Sequence, residues 1–263
     1  MKTGLSRRGL IGLVPSALLV PSAALGSREQ TGSVHPLYPS HHPDAVKEIV
    51  SASHGNLERV RAMLKDTPAL AKSAWDWGFG DWETPLGAAA HTGQAEIAML
   101  LMENGAQPDI FAFAMLGNLD AVQMLVKQNP GIQRSLGPHG ITLLAHARFG
   151  GEKAAAVLAY LTELGDAGTA AANLPLSDAD KDVYVGKYMF GEGANDHFVV
   201  ALSKSKALQI QRPTGATRML NRVEEHGFAP TGAPHARIRF TVESGVAVSL
   251  SVHDLQPVLV AKR

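Results

Sequence analysis

One spacing constrains this chain more than any other. Gly55, Gly93, Gly117 and Gly151 stand 38, 24 and 34 residues apart, and each precedes the apolar stripe of a short helix. The stripes are Val60 and Leu64; Ile97, Leu100 and Leu101; Val122 and Leu125; and Val157, Leu158 and Leu161. Self-similarity near a period of ~33 residues marks a stacked repeat, in which no unit hides its apolar face alone. The register agrees. Thr84 lies nine residues before Gly93, and Thr142 lies nine before Gly151. A hydroxyl at that place caps a helix start, and Pro85 suits the first helical position.

The run from Asp81 through Thr84-Pro85-Leu86, Ala88-Ala89-Ala90 and Gly93 to Gly105-Ala106 resembles one ankyrin repeat. About four repeats fit within 44–166, and only the second is close to the full pattern. Gly87 and Leu143 replace the family's His and Pro, and repeats one and three lack the Thr-Pro start. The resemblance implies paired helices joined by extended fingers. The unequal spacings then predict a long first finger between Asp66 and Glu83, no room for a second, and an ordinary third around Asn129–Gly140.

Trp75, Trp77 and Trp82 are the only tryptophans, and all lie with Phe79 in that first finger. Aromatic rings give much contact area for little side-chain entropy and dominate interface hot spots. Two readings stand. The rings form an exposed lip on the concave face that grips a partner, or the long loop folds back and buries them. In the first reading Asp81 and Glu83 complement the partner, and His91, His139 and His146 line the inner face.

After Leu176 the period changes from 3.6 to 2. Ile238, Phe240 and Val242 alternate with Arg237, Arg239 and Thr241, and Glu243-Ser244-Gly245 separates them from a second alternating run at 246–252. Shorter runs at 183–190, 197–202, 207–211, 216–220 and 257–261 bring the strands to seven or eight, as in a small antiparallel barrel or sandwich. Val183-Tyr184-Val185-Gly186-Lys187-Tyr188 and the order of the later strands resemble the lipocalin-like β domain appended to secreted penicillin-binding-protein-like hydrolases. Such domains carry no catalytic residues of their own. The fold class is therefore multidomain α plus β, an ankyrin-repeat α-solenoid followed by a β domain at 177–263, with 167–176 as linker.

Residues 1–26 read as an address. Lys2, Arg7 and Arg8 precede an apolar run from Leu10 to Ala24 that ends in Ala24-Leu25-Gly26. Ser6-Arg7-Arg8-Gly9-Leu10-Ile11 resembles the twin-arginine export motif, which implies a bacterial periplasmic protein exported already folded. Residues 27–43, rich in Pro, Ser and His, read as a flexible arm. No later run is long and apolar enough for stable membrane insertion once the signal is cleaved.

Composition removes several functions. With 24 basic and 24 acidic residues overall, nothing marks a nucleic-acid binder. Residues 44–172 carry 9 basic and 14 acidic residues, whereas 176–263 carry 11 and 9, so the β domain is drawn weakly to the array. The absence of cysteine excludes disulfides and thiolate metal sites. There is no phosphate-binding glycine loop and no His-Glu-x-x-His, so no catalytic residue, cofactor or metal is expected. The leading expectation is a non-enzymatic module that binds another exported protein through the first finger and the concave face. The alternatives are a carrier whose β domain encloses a small apolar ligand among Phe198, Val200, Ile238, Phe240 and Val248, and an enzyme with a His and a carboxylate in a cleft between the domains.

Overall fold

A computed structural model describes residues 37, 39–170, 172–215 and 217–263. The signal segment, and the arm as far as residue 36, lie outside the described residues. Among the described residues no helix is long and apolar enough to cross a membrane.

Four helix pairs come first: α1 (Pro43–Ala52) with α2 (Leu57–Asp66), α3 (Pro85–His91) with α4 (Ala95–Glu103), α5 (Ile110–Leu116) with α6 (Leu119–Gln128), and α7 (Leu143–Phe149) with α8 (Ala155–Leu164). Their starts follow the caps legible in the chain. The Thr84 and Thr142 hydroxyls accept from the Gly87 and Ala145 backbone N–H groups, and the Asp109 carboxylate accepts from Ala112. Asn56 and Asn118 do the same for α2 and α6. Ala88, Ala89 and Ala90 are fully buried, so α3 packs closely against α1, α5 and α7.

Glycines set how closely the turns approach. Gly93 and Gly117 have φ of +72° and +77°. A Cβ on Gly93 would come within 2.5 Å of the Phe149 carbonyl oxygen, and one on Gly117 would strike the carbonyl of Lys153. The fingers have the expected lengths. A 3-10 turn at Pro68–Lys72 and a two-stranded hairpin, β1 (Trp75–Asp76) with β2 (Trp82–Glu83), form the long first one. Between α4 and α5 there is no strand. The third finger is a pair of 3-10 turns closed by a bridge between Leu136 and Thr142.

Gly165, with φ of +80°, ends α8. The chain then hydrogen-bonds back to α7 through Leu144 N–H and Ala167 O. A short helix α9 (Asp178–Lys181) leads into eight strands: β3 (Gly186–Met189), β4 (His197–Leu202), β5 (Leu208–Gln211), β6 (Arg218–Glu224), β7 (Gly227–Pro230), β8 (Ala236–Glu243), β9 (Val246–Asp254) and β10 (Gln256–Lys262). Each pairs antiparallel with the next, and β10 closes onto β3 at Lys262 and Met189. The result is a closed up-and-down barrel rather than a sandwich. Ser244 (φ +49°) and Gly245 (φ +78°) make the β8–β9 turn with both central residues left-handed, as a tight hairpin requires. Eight strands enclose a space that side chains fill. Tyr188, Ile210, Phe228, Ile238 and Leu250 fill it here.

Candidate functional site

The first finger lies between the helical array and the barrel. At its tip Gly78, Phe79 and Gly80 all have positive φ, and Asp76 Oδ1 accepts from Gly78 N–H to hold the bend. Trp75 and Trp77 meet edge to face at 6.5 Å and pack half-buried on the array core, with Lys47 5.9 Å above the Trp75 ring. Phe79 instead packs on the barrel core. Trp77 and Phe79 cover a recess of about 400 Å³ at the barrel's end, walled by Phe198, Ile210, Val252 and Leu259. Of the four rings, only Trp82 is exposed, at 60%. The continuous aromatic lip of the first reading is thus absent, because the hairpin folds its first two tryptophans onto the helices and its tip onto the barrel.

Asp81 and Glu83 are not on the surface either; they are 3% and 1% exposed. Asp81 Oδ1 accepts from the His139 backbone N–H at 2.9 Å, and its Oδ2 lies 2.7 Å from His139 Nδ1. The same Oδ2 forms an ion pair with Arg218 Nη2 of β6 at 2.8 Å, and Arg218 is only 8% exposed. This buried pair ties the first finger to the barrel. Gly232 belongs to this contact, for a Cβ there would sit 2.5 Å from Asp81 Oδ2.

Next to that pair four side chains converge. His54 follows α1, Glu83 stands on β2, His91 ends α3, and His139 lies in the third finger with φ of +59°. Glu83 Oε1 is 3.2 Å from His139 Nε2, 3.2 Å from His91 Nδ1 and 3.5 Å from His54 Nε2. It is fully buried and makes no hydrogen bond, so these nitrogens surround it without directing an N–H at it. Glu83 Oε2 accepts from Trp77 Nε1–H at 2.7 Å. His54 Nδ1 lies 3.1 Å from the Val50 carbonyl, and His91 Nδ1 3.1 Å from that of Gly87. One donor atom from each of the four residues lies within 4.8 Å of the other three.

The electrostatics follow from burial and these neighbours. Burial pushes the His139 imidazole down, but Asp81 and Glu83 beside it outweigh burial and raise its pKa to about 9. Burial pushes the Glu83 carboxyl up, yet His139 and His54 outweigh it and hold the pKa at about 2. The Glu83 carboxylate raises His54. His91 goes the other way, to about 4, because burial is reinforced by its histidine neighbours. His146 stands apart. It is fully buried on α7 against Phe111, its Nδ1 is 2.9 Å from the Thr142 carbonyl, and burial lowers its pKa.

The residues expected to touch a partner are thus divided. Trp82 is accessible. Asp81, Glu83, His91 and His146 are buried and cannot form a contact surface: Asp81 lies against Arg218 and Gly232 of the barrel, and the other three lie among the array's own helices and fingers. Glu83, His91 and His139 instead form a polar cluster with His54, a residue sequence reasoning did not single out for function. The four donors are 29, 8 and 48 residues apart and share no local motif. The one available signal was that His54 immediately precedes a turn glycine, near the repeat position of His91. In the barrel, Val200, Ile238 and Phe240, expected to line a ligand cavity, fill the core instead, Val248 is half-buried on its strand, and only Phe198 reaches the recess.

The family model for the ankyrin repeat matches residues 81–113. That span runs from the end of the first finger through α3 and α4 into α5. No curated protein matches this chain. Ankyrin repeats generally mediate binding to other proteins, and here they precede a closed eight-stranded barrel.

Proposed function

We propose that this chain is a periplasmic interaction protein that binds a segment of another exported protein, without catalysis. The observation that carries the reading is a groove of about 690 Å³ with Trp82 on its wall, where Asp109, Phe111, Pro138 and His235 also contribute. It runs along the finger side of the inner helices, and the barrel loop at 232–235 forms its far edge. A half-buried Phe111 and an exposed Trp82 offer a segment two apolar anchors, and Asp109 offers one charge. The reading is supported by the ankyrin repeat and by the order of Lys2, Arg7, Arg8 and the apolar run after them. His139 and Asp81 are within the hydrogen-bond reach an inter-domain enzyme would need. Both oxygens of that carboxylate are already engaged by His139 and Arg218, which is the arrangement of a structural tie.

Tagged protein isolated from its own cell envelope should bring down a partner. Trp82→Ala should weaken that complex by about 30-fold, the effect of removing an aromatic hot spot worth ~2 kcal/mol. Undiminished binding by the variant removes the groove from the reading. The export route is tested by Arg7→Lys with Arg8→Lys, which should leave the precursor in the cytoplasm; unchanged export excludes the twin-arginine route. A second reading, a small apolar ligand held at the barrel's end, is favoured by the recess under Trp77 and Phe79 rather than by the filled interior. Titration with a fluorescent apolar probe checks it.

A further inference from the structure

We infer that His54, Glu83, His91 and His139 form a binding site for one divalent transition-metal ion, of which zinc is the best fit. The donor set is three imidazoles and one carboxylate. Imidazole suits zinc, copper and nickel, whereas calcium and magnesium call for oxygen ligands. Four protein donors complete a tetrahedron and leave no open position, as in a structural rather than a catalytic zinc centre.

The distances agree with that geometry. Zinc bonds to nitrogen and oxygen are ~2.0–2.1 Å, so the edge of the tetrahedron they define is about 3.3 Å. Glu83 Oε1 lies 3.2 Å from His139 Nε2 and 3.5 Å from His54 Nε2, and His91 Nδ1, 3.2 Å away, would give up its 3.1 Å contact with the Gly87 carbonyl to join them. The four donors are within 4.8 Å of one another, so the imidazoles have only a short way to close around an ion.

The surroundings are those of a ligand set too. Metal-bound histidines generally have the other ring nitrogen held by a carbonyl or carboxylate. His54 Nδ1 is held by the Val50 carbonyl and His139 Nδ1 by Asp81, which leaves both Nε2 atoms facing Glu83. Glu83 is itself oriented by Trp77 at Oε2. Its Oε1 is buried with no hydrogen bond and meets His139 only as an ion pair at 3.2 Å, so a bound ion would take the place of the imidazole's proton. Asp81, held by Arg218, sets the orientation of His139 from behind.

The site also has a structural purpose legible in its sources. Its ligands come from the turn after α1, the first finger, the end of α3 and the third finger. One ion would therefore clip together two fingers and two repeats, next to the contact with the barrel.

The test uses the full mature chain, stripped with chelator and titrated with zinc chloride alone by calorimetry. One ion should bind per chain with micromolar or tighter affinity. The melting temperature should rise by about 5–10 °C at zinc concentrations 100-fold above Kd. Cobalt in its place should give the intense visible bands of a tetrahedral centre. His54→Ala, at a half-buried position where the fold should survive, and Glu83→Gln should each weaken binding at least ~10–100-fold. His41→Ala alone, in the arm ahead of the cap of α1, should leave zinc binding unchanged. The inference is overturned if stripped protein binds no zinc at micromolar affinity. It is equally overturned if stoichiometric binding persists in a folded His54→Ala variant, or if the arm variant abolishes it.

Discussion

Asp81→Ala is expected to destabilise the protein by about 3–5 kcal/mol, the cost of removing one partner of a buried ion pair. The reason lies in what the carboxylate serves. It accepts from the His139 backbone, faces His139 Nδ1, and neutralises Arg218, a guanidinium almost wholly buried between β6 and the finger. Without it, Arg218 is an uncompensated charge in a site that water scarcely reaches. Two further marks separate this from an ordinary core lesion. Protease should cut faster within 168–176, where the chain passes from α8 to the barrel. A double-mutant cycle of Asp81→Asn with Arg218→Met should show a coupling of at least ~1 kcal/mol, as contacting charged partners do. Urea unfolding measures the first effect. A loss below 1 kcal/mol would mean that the barrel's hold on the array resides elsewhere.

The second large effect is steric. Gly117→Ala is expected to cost about 2–5 kcal/mol. Of this, ~1–2 comes from a left-handed conformation that alanine resists, and ~1–3 from overpacking. At φ +77° the added Cβ would strike the Lys153 carbonyl, which belongs to the turn leading into α8 and cannot swing aside as a side chain would. Gly105→Ala is the matched control. Its φ is +93°, but the nearest atom to a new Cβ is the flexible Lys72 Cδ at 3.8 Å. Only the conformational cost remains there. Melting curves should therefore fall by roughly 5–15 °C for Gly117→Ala and by a few degrees for Gly105→Ala. Equal losses would contradict the view that close approach of the turns holds repeats three and four together.

The barrel illustrates how far local pattern reaches. The alternation in 236–243 and 246–254 and the Glu243-Ser244-Gly245 turn specify a hairpin with its faces assigned. The strand Gly227–Pro230 was not legible, for all four of its residues are buried and its pattern does not alternate. Closure of β10 on β3 likewise has no local signature. It is decided by the accumulated twist and tilt of eight strands.

The same division holds in the array. Caps at Thr84, Asp109 and Thr142, the turn glycines and the unequal spacings determine four helix pairs and the length of each finger, because those choices involve residues within a turn or two of one another. The chain alone did not reveal that Trp77 would hold Glu83, that Asp81 would meet Arg218 from 137 positions away, or that His54, His91 and His139 would surround one carboxylate. Those meetings depend on where the loops carry the chain. A local period records which face of an element is apolar, but not which distant element will cover it.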